Sequence, residues 1–364
     1  GLPMFIRGMS ETVKAKIRHF GRENIKPGDI YVTNDSYTTG SHLNHFTFTL
    51  PIFHKKKLVG FSCCMAHWLD VGGVLGGMTT DIFSEGLQIP ILKYQDQGKV
   101  NEDLLDIIKM NVRLPPRAMG DLRAQVTAVK TGERRFLELI ERYGEDAVQG
   151  AIEEIMDRAD AAARARTRTI PDGTYEAESW LDDDGLEIGK RIPVRVKVIV
   201  KGDEMTVDLS EVSKQVRGFF NSGITTGYAC AQVAYKCITS PTDYPINDGA
   251  FRSLKVIIPP GRIVSATRPA PPPGTALWPI HPGRLAPRTS SQSSPITTAT
   301  ALAVTPRATA SASTSDHQPM PMQPTFTGPA FMVSTVLVVD VVSVRRALPG
   351  RGQRISGSLA VDRD

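Results

Sequence analysis

Apolar residues recur every three to four positions in several stretches of the chain, which is the spacing expected of amphipathic helices. The pattern predicts helices over residues 9–23, 102–113 and roughly 117–166, and a buried helix over 226–239. Gly144 interrupts the longest stretch, and because glycine is a poor helix former we expect two helices there. The middle of the chain is therefore predicted to be helical.

Alternating apolar and polar positions predict strands on either side of this helical stretch. The predicted strands are 30–32, 46–53, 58–65, 175–181, 192–200, 205–209 and 254–258. The second and third would pair as a hairpin, because only a short basic turn separates them. The order of elements predicts an α+β (mixed α/β) fold. Its regions would be a strand-rich part over 1–100, a helical part over 101–170, and an antiparallel sheet plus helix over 171–268.

The last part of the chain, residues 269–364, differs in composition from the rest. It holds 14 of the 26 prolines and has no Lys or Glu. Because so little of it could form a core, we expect a disordered tail. Two origins are open: a natural extension, or a shifted reading frame, which the joint loss of Lys, Glu, Asn and Tyr favours. The chain also begins with Gly rather than Met, which fits a fragment, so function is sought before about residue 265.

Charge and composition exclude several classes of protein. The tail carries most of the net charge of +5, so the preceding residues lack the basic excess of a nucleic-acid-binding face. The longest apolar run, residues 331–344, contains Asp340 and is shorter than the roughly 20 residues that span a bilayer. Four Cys and no secretory signal favour a reducing compartment. We therefore expect a cytoplasmic protein without nucleic-acid or membrane partners.

Three histidines occupy loops that follow predicted strands. His42 and His45 are three residues apart in GSHLNH, and His67 follows the next strand in AHWLD. Asp35 and Asp70 flank this group. Imidazole and carboxylate groups are suitable ligands for Zn or Mn, with Fe as a further candidate, and three protein ligands leave a position open for water. Since two His three residues apart are common and an isolated His is more often a hydrogen-bonded structural residue, the pattern alone leaves both a metal site and a structural role open.

The same loops carry a resemblance to a known family. The segments concerned are KPGDIYVTNDSYTTGSHLNHFTFTLPIF, LVGFSCCMAHWLDVGG, TTDIFSEGLQIP, NVRLPPRAMGDLRAQ, DGTYEAESWLDDDG and VDLSEVSKQVRGFFNS. In this order they resemble the B subunit of the hydantoinase/5-oxoprolinase family, which also includes subunits of acetone and acetophenone carboxylases. The resemblance covers residues 3–268, and since members of the family are considerably longer, both ends of this chain are expected to be incomplete.

The resemblance implies a metal-dependent subunit that works beside an ATP-binding, hydantoinase A-like subunit. ATP would activate the substrate, after which a cyclic amide is opened; the alternatives are ketone carboxylation and an inactive, truncated remnant. His42 and His67 fall where the family has metal ligands, whereas position 45 is usually Asp and here is His45. Asp70 falls in the same motif and is expected to orient His67 from outside the ligand set.

Further residues near these motifs have two interpretations each. Asp35 is either a turn former or a catalytic carboxylate, and Glu85 is either a base in the site or a solvated side chain. The glycines of the second loop either bring backbone amides close to an anion or only make the loop flexible. They are Gly72, Gly73, Gly76 and Gly77, and they lack the ending of an ATP-binding P-loop.

Overall fold

The computed structural model of the protein describes residues 4–74, 78–239 and 247–271, together with a strand at 333–338. Its helices are α1 (Met4–Phe20), α2 (Ser36–Thr39), α3 (Glu102–Asn111), α4 (Pro115–Tyr143), α5 (Glu145–Thr167) and α6 (Ile224–Thr239). Its strands are β1 (Ile30–Thr33), β2 (His45–His54), β3 (Lys57–His67), β4 (Leu92–Asp96), β5 (Lys99–Val100), β6 (Gly173–Leu181), β7 (Ile192–Lys201), β8 (Glu204–Asp208), β9 (Leu254–Ile257) and β10 (Val333–Val338). This arrangement confirms the predicted α+β class.

The first sheet has six strands in the order β10-β3-β2-β1-β4-β5, and every neighbouring pair is antiparallel. Successive residues of a strand face opposite sides of the sheet, so its two faces carry different side chains. On one face Phe46 and Phe48 join a core with Leu122 of α4. On the other face Phe61 and Met65 pack with residues of α1. The sheet is therefore covered by helices on both sides.

The second sheet has four strands in the order β6-β7-β8-β9. The strands β6, β7 and β8 are antiparallel, as predicted, but β9 lies parallel to β8. Its core residues, including Val196 and Val207, pack against Ala231 and Tyr235 of α6. The buried helix predicted near residue 226 therefore covers this sheet.

Some predicted elements need correction. The first helix begins at Met4 and ends at Phe20 rather than extending to residue 23, because Gly21 has a φ of 78°. Gly144 does separate two helices, also with a positive φ. The pattern missed α2, β4 and β5, which are short or lack clear alternation.

The predicted tail falls mostly outside the described residues. Within it, Val333–Val338 forms strand β10 and pairs with β3. The sequence had indicated no strand there. The division of the chain at residues 100, 170 and 268 remains a prediction. In the described part of the chain no helix is long and apolar enough to cross a membrane.

A buried glutamine joins α4 to the β2–β3 hairpin. The Gln125 amide nitrogen donates to the Phe46 carbonyl at 2.9 Å, and its oxygen accepts from the Trp68 indole nitrogen at 2.7 Å. The Trp68 ring stacks on Phe46 at 3.8 Å. Because buried polar groups must find partners, Gln125 fixes the helix against the hairpin at the end where the histidines lie.

We expect Gln125→Leu to lower the free energy of unfolding by roughly 1–3 kcal/mol, because the Trp68 indole would be left buried without its partner. Chemical denaturation measures the change. The control is Arg123→Leu at an exposed position of the same helix, which should shift stability by less than about 0.5 kcal/mol. Equal stabilities of the two variants would show that the hydrogen bonds of Gln125 are not needed.

Candidate functional site

The register of the β2–β3 hairpin brings the three predicted histidines together. His45 is the first residue of β2 and pairs directly with His67, the last residue of β3. A turn brings His42 back to the same place, since the His45 amide donates to the His42 carbonyl at 3.0 Å. The ring centroids lie 4.4 Å apart for His42 and His45, 4.7 Å for His42 and His67, and 5.0 Å for His45 and His67. We call these three side chains the imidazole cluster.

The environment of the cluster favours the uncharged form of each ring. Burial, together with the nearby His67, lowers the pKa of His42 to about 4. Burial and its two imidazole neighbours hold the pKa of His45 well below its usual value. Burial also lowers the pKa of His67, which is the more exposed ring. Neutral imidazoles keep a lone pair on one nitrogen, which is the form that binds metal ions.

Two hydrogen bonds orient rings of the cluster. His42 Nδ1 lies 3.0 Å from Asn44 Oδ1, so this nitrogen donates and Nε2 keeps its lone pair. His45 Nδ1 lies 2.7 Å from Ser41 Oγ. Partners of this kind at the other ring nitrogen fix the tautomer of metal-binding histidines. The sequence loop GSHLNH thus supplies both the rings and the groups that orient them.

The cluster fits a divalent metal in ligand type and in charge state. Among the described residues, no group of three or more His, Cys, Asp or Glu side chains is already arranged to hold a metal ion. Binding would therefore require the rings to turn, and His67 is exposed enough to do so.

Asn34 connects the histidine loop to a second loop of the site. Its side chain is fully buried, and its amide nitrogen donates to the carbonyls of Leu43 and Leu87, both at 2.8 Å. Its oxygen accepts from the Ile89 amide at 2.6 Å. The segment between His42 and His45 is thereby held against the SEGLQIP segment that contains Glu85.

The predicted carboxylates Asp35 and Glu85 lie around Tyr37. Burial is the main cause that raises the pKa of the Tyr37 phenol, which is about 12. Of the neighbouring charges, Arg268 lowers this pKa, whereas Glu85 and Asp35 raise it. The Arg268 guanidinium stacks 4.8 Å from the centre of the Tyr37 ring and contacts Asp35 at 3.3 Å and Gln88 at 2.6 Å. The structure thus adds an aromatic ring and a cation that sequence reasoning had not selected.

The two carboxylates differ in their surroundings. Burial raises the pKa of Glu85 to about 7, although a hydrogen bond from Thr79 at 2.9 Å partly opposes this. Asp35 accepts a hydrogen bond from Thr38 at 2.6 Å within the turn that begins α2, so both of its proposed roles remain compatible with its position. Glu85 is the carboxyl group that can exchange a proton near neutral pH.

Asp70 contacts Arg113 and does not hydrogen-bond to His67 in the described part of the chain. Its carboxylate accepts from the Arg113 guanidinium at 2.8 Å, from the Arg113 amide, and from the Gly72 amide at 3.1 Å. Burial raises the pKa of Asp70, but these hydrogen bonds outweigh it and leave the pKa lowered. The expected orientation of His67 by Asp70 is therefore not seen among these contacts.

The described glycines of the second loop allow two loops to pack closely. A Cβ on Gly73 would lie 2.4 Å from the backbone of Glu85, and one on Gly72 would lie 2.5 Å from the Asn111 carbonyl. Both have positive φ angles, which glycine adopts without strain. Close packing thus explains these two glycines better than either predicted role. Gly76 and Gly77 lie outside the described residues.

Comparison with known proteins identifies the protein family of the chain. A family model described as hydantoinase B/oxoprolinase matches residues 1–284. The chain belongs to the hydantoinase B/oxoprolinase family. It is 34% identical over 275 residues to the caprolactamase subunit beta of Pseudomonas jessenii, covering 74% of this chain and 47% of that protein. This confirms the resemblance read from the motifs.

Two further similarities extend the comparison. The crystal structure of the ATP-dependent caprolactamase from Pseudomonas jessenii matches with a TM-score of 0.73 and 31% identity, covering 83% of this chain and 50% of that chain. The acetophenone carboxylase delta subunit of Aromatoleum aromaticum (strain DSM 19018 / LMG 30748 / EbN1) is 30% identical over 258 residues, covering 69% of this chain and 36% of that protein. The chain spans half or less of the length of these family members.

Sequence reasoning selected the three histidines but missed the residues that hold them. Asn34 and Ser41 lie within the loop motif that carries the family resemblance, so both could have been selected there. Arg268 could not, because it lies 233 residues from its partner Asp35. Tyr37 could not be selected either, because its ring contact is with the same distant residue, Arg268.

Acid should destabilise the metal-free protein through the cluster. The unfolded chain takes up protons near pH 6.5, whereas folded His42 does so only near pH 4, so the free energy of unfolding falls as pH drops between these values. Denaturation with a chelator present should show a shallower fall for His42→Asn than for the unmodified chain.

The comparison of variants is needed because Glu85 changes the free energy of unfolding with pH in the opposite direction to His42. Its pKa is raised, so its contribution to stability is complete below about pH 4.5 and is lost as pH rises through about 7. Identical slopes for His42→Asn and the unmodified chain between pH 6.5 and 4 would contradict the neutral state assigned to His42.

Proposed function

We propose that this chain supplies the metal-binding part of the B subunit of an ATP-dependent cyclic-amide hydrolase. The enzyme would open a lactam or imide ring after activation by a hydantoinase A-like, ATP-binding partner subunit. The observation that carries the proposal is the imidazole cluster at the paired ends of β2 and β3 in a member of this family. The similarity to a caprolactamase subunit supports a lactam as the substrate class.

His42, His45 and His67 would hold a divalent metal ion, Zn or Mn in the first place and Fe as a further candidate. An ion bound there supplies Lewis acidity toward a carbonyl oxygen and lowers the pKa of a coordinated water. Ser41 and Asn44 keep two of the rings in position for this task. Asn34 keeps their loop beside the segment of Glu85.

Glu85 would transfer protons at the reacting amide. A group with a pKa near the working pH is present in both its acidic and its basic form, which suits it to accept a proton and return it. Arg268 and Asp35 would position the polar parts of the substrate beside Tyr37, because their charged groups meet there and the Arg268 side chain is half exposed.

A second candidate function is that of a ketone carboxylase subunit, which the similarity to the acetophenone carboxylase delta subunit favours. The two reactions differ in their co-substrate. Consumption of a lactam with ATP alone supports the hydrolase, whereas ATP turnover that requires a ketone and bicarbonate supports the carboxylase. A chain that retains metal but does neither with its partner would be the inactive remnant.

Replacing His42 or His67 by Ala should remove both the bound metal and the turnover, because each change deletes one of three neutral ligands. Elemental analysis of the purified protein, co-expressed with its A-like partner, measures the metal. Hydrolysis of hydantoin, 5-oxoproline and caprolactam with ATP measures turnover.

His19→Ala is the matched control, since this imidazole lies exposed at the end of α1. It should leave metal content and turnover unchanged. Unaltered metal content in either the His42 or the His67 variant would refute the ligand assignment.

Glu85→Gln should lower turnover by about 10²–10⁴-fold while metal content stays the same, because the amide cannot transfer the proton. The dependence of turnover on an ionisation near pH 7 should also disappear. Glu141→Gln, at an exposed position of α4, makes the same chemical change away from the site. A Glu85→Gln variant with an unchanged pH profile would exclude Glu85 as the proton-transfer group.

A further inference from the structure

A cavity lies between α1, α6 and β9. Its volume is about 220 Å³, and none of its lining residues belongs to the cluster. Its polar lining consists of Arg7, Tyr228, Gln232 and Asp248. This volume is below the roughly 300–1,000 Å³ of typical drug-sized sites, so only a small molecule would fit.

One lining residue of this cavity carries a buried polar atom without a hydrogen-bond partner. In the part of the chain that the structure describes, four buried side-chain atoms lack a hydrogen-bond partner. One is Nε of Arg7, and two belong to Asn247, which directly precedes the lining residue Asp248; the fourth is Ser36 Oγ. A buried polar group without a partner is unfavourable, so a ligand that reached Arg7 Nε would be stabilised by supplying the missing bond.

Arg7 is held in place but keeps hydrogen-bonding capacity. One terminal nitrogen pairs with Glu11 at 2.7 Å, and the guanidinium lies 5.5 Å from the centre of the Tyr228 ring. These contacts restrict its motion while Nε remains unpaired. A guanidinium fixed in this way is suited to bind a carboxylate.

The remaining lining defines the rest of the ligand. Asp248 adds a carboxylate, which attracts an ammonium group and repels a second acid. Phe251, Leu254 and Val256 form an apolar wall. The cavity thus offers one cation, one anion and an apolar surface to a small molecule.

We propose that this cavity binds a small aliphatic amino acid. Its carboxylate contacts Arg7, its ammonium group contacts Asp248, and its side chain packs on the wall formed by Phe251, Leu254 and Val256. The site is separate from the proposed hydrolase chemistry and requires no metal.

Calorimetric titration of the full chain with three probes tests this assignment. The probes are L-norleucine, its methyl ester, which lacks the carboxylate, and hexanoate, which lacks the ammonium group. L-norleucine should bind, and each of the other two should bind about tenfold or more weakly, as expected for loss of one charged hydrogen-bonding group. Equal affinity for the ester and the acid, or no binding of L-norleucine, would overturn the proposal.

Two variants locate the site. Arg7→Met should weaken L-norleucine binding about tenfold or more, whereas Arg18→Met, exposed on the same helix, should not. Asp248→Asn should remove the preference for L-norleucine over hexanoate. A chelator in every titration excludes amino-acid binding to a metal at the imidazole cluster, and affinity that persists in Arg7→Met would place the ligand elsewhere. If Arg7→Met does not fold, the probe series on the unmodified chain decides.

Discussion

The pairing of β2 with β3 is the constraint on which the site depends. Side chains alternate along a strand, so a shift of one residue would turn every side chain of β2 to the other face. Phe46 and Phe48 would leave the α4 core, and His45 would no longer lie opposite His67. Burial of the aromatic side chains therefore fixes the position of the imidazoles. The aromatic side chains have no chemical role of their own, but their packing determines the geometry of the cluster.

Packing alone does not fix the loops that complete the site. Leu43 and Ile89 anchor the histidine loop and the segment of Glu85 in the core, and hydrogen bonds position the polar residues of both loops. Asn34 uses both ends of its buried amide for this purpose, and its partners are backbone groups of both loops. Because a buried amide must be satisfied, the two loops are tied to each other as well as to the sheet. Glu85 is half-buried in the second of these loops, and burial raises its pKa to about 7.

The sequence predicted the elements well and their relative positions poorly. The alternating pattern predicts that β2 begins at residue 46 and that β3 ends at residue 65. It therefore places His45 and His67 in loops, whereas the structure includes both in the strands. A register shift between Ile52 and Phe53 also lies within this hairpin, and no local pattern reveals it. Contacts between distant residues, such as Arg268 with Asp35, could not be predicted without the fold. The strand at Val333–Val338 was missed because its surroundings have the composition of a disordered tail.

A histidine rather than an aspartate at position 45 lowers the free-energy cost of a site without metal. The family resemblance places Asp there, and this position is only 5% exposed. A carboxylate so deeply buried needs a cation or several hydrogen bonds, because an unpaired buried charge is costly. An imidazole can become neutral instead, and burial together with its two imidazole neighbours lowers the pKa of His45, which favours the neutral form. A neutral imidazole at this position needs no counter-ion. An ion held by the three proposed imidazole ligands would keep more of its positive charge than one held with a carboxylate, which would suit it to polarise a carbonyl.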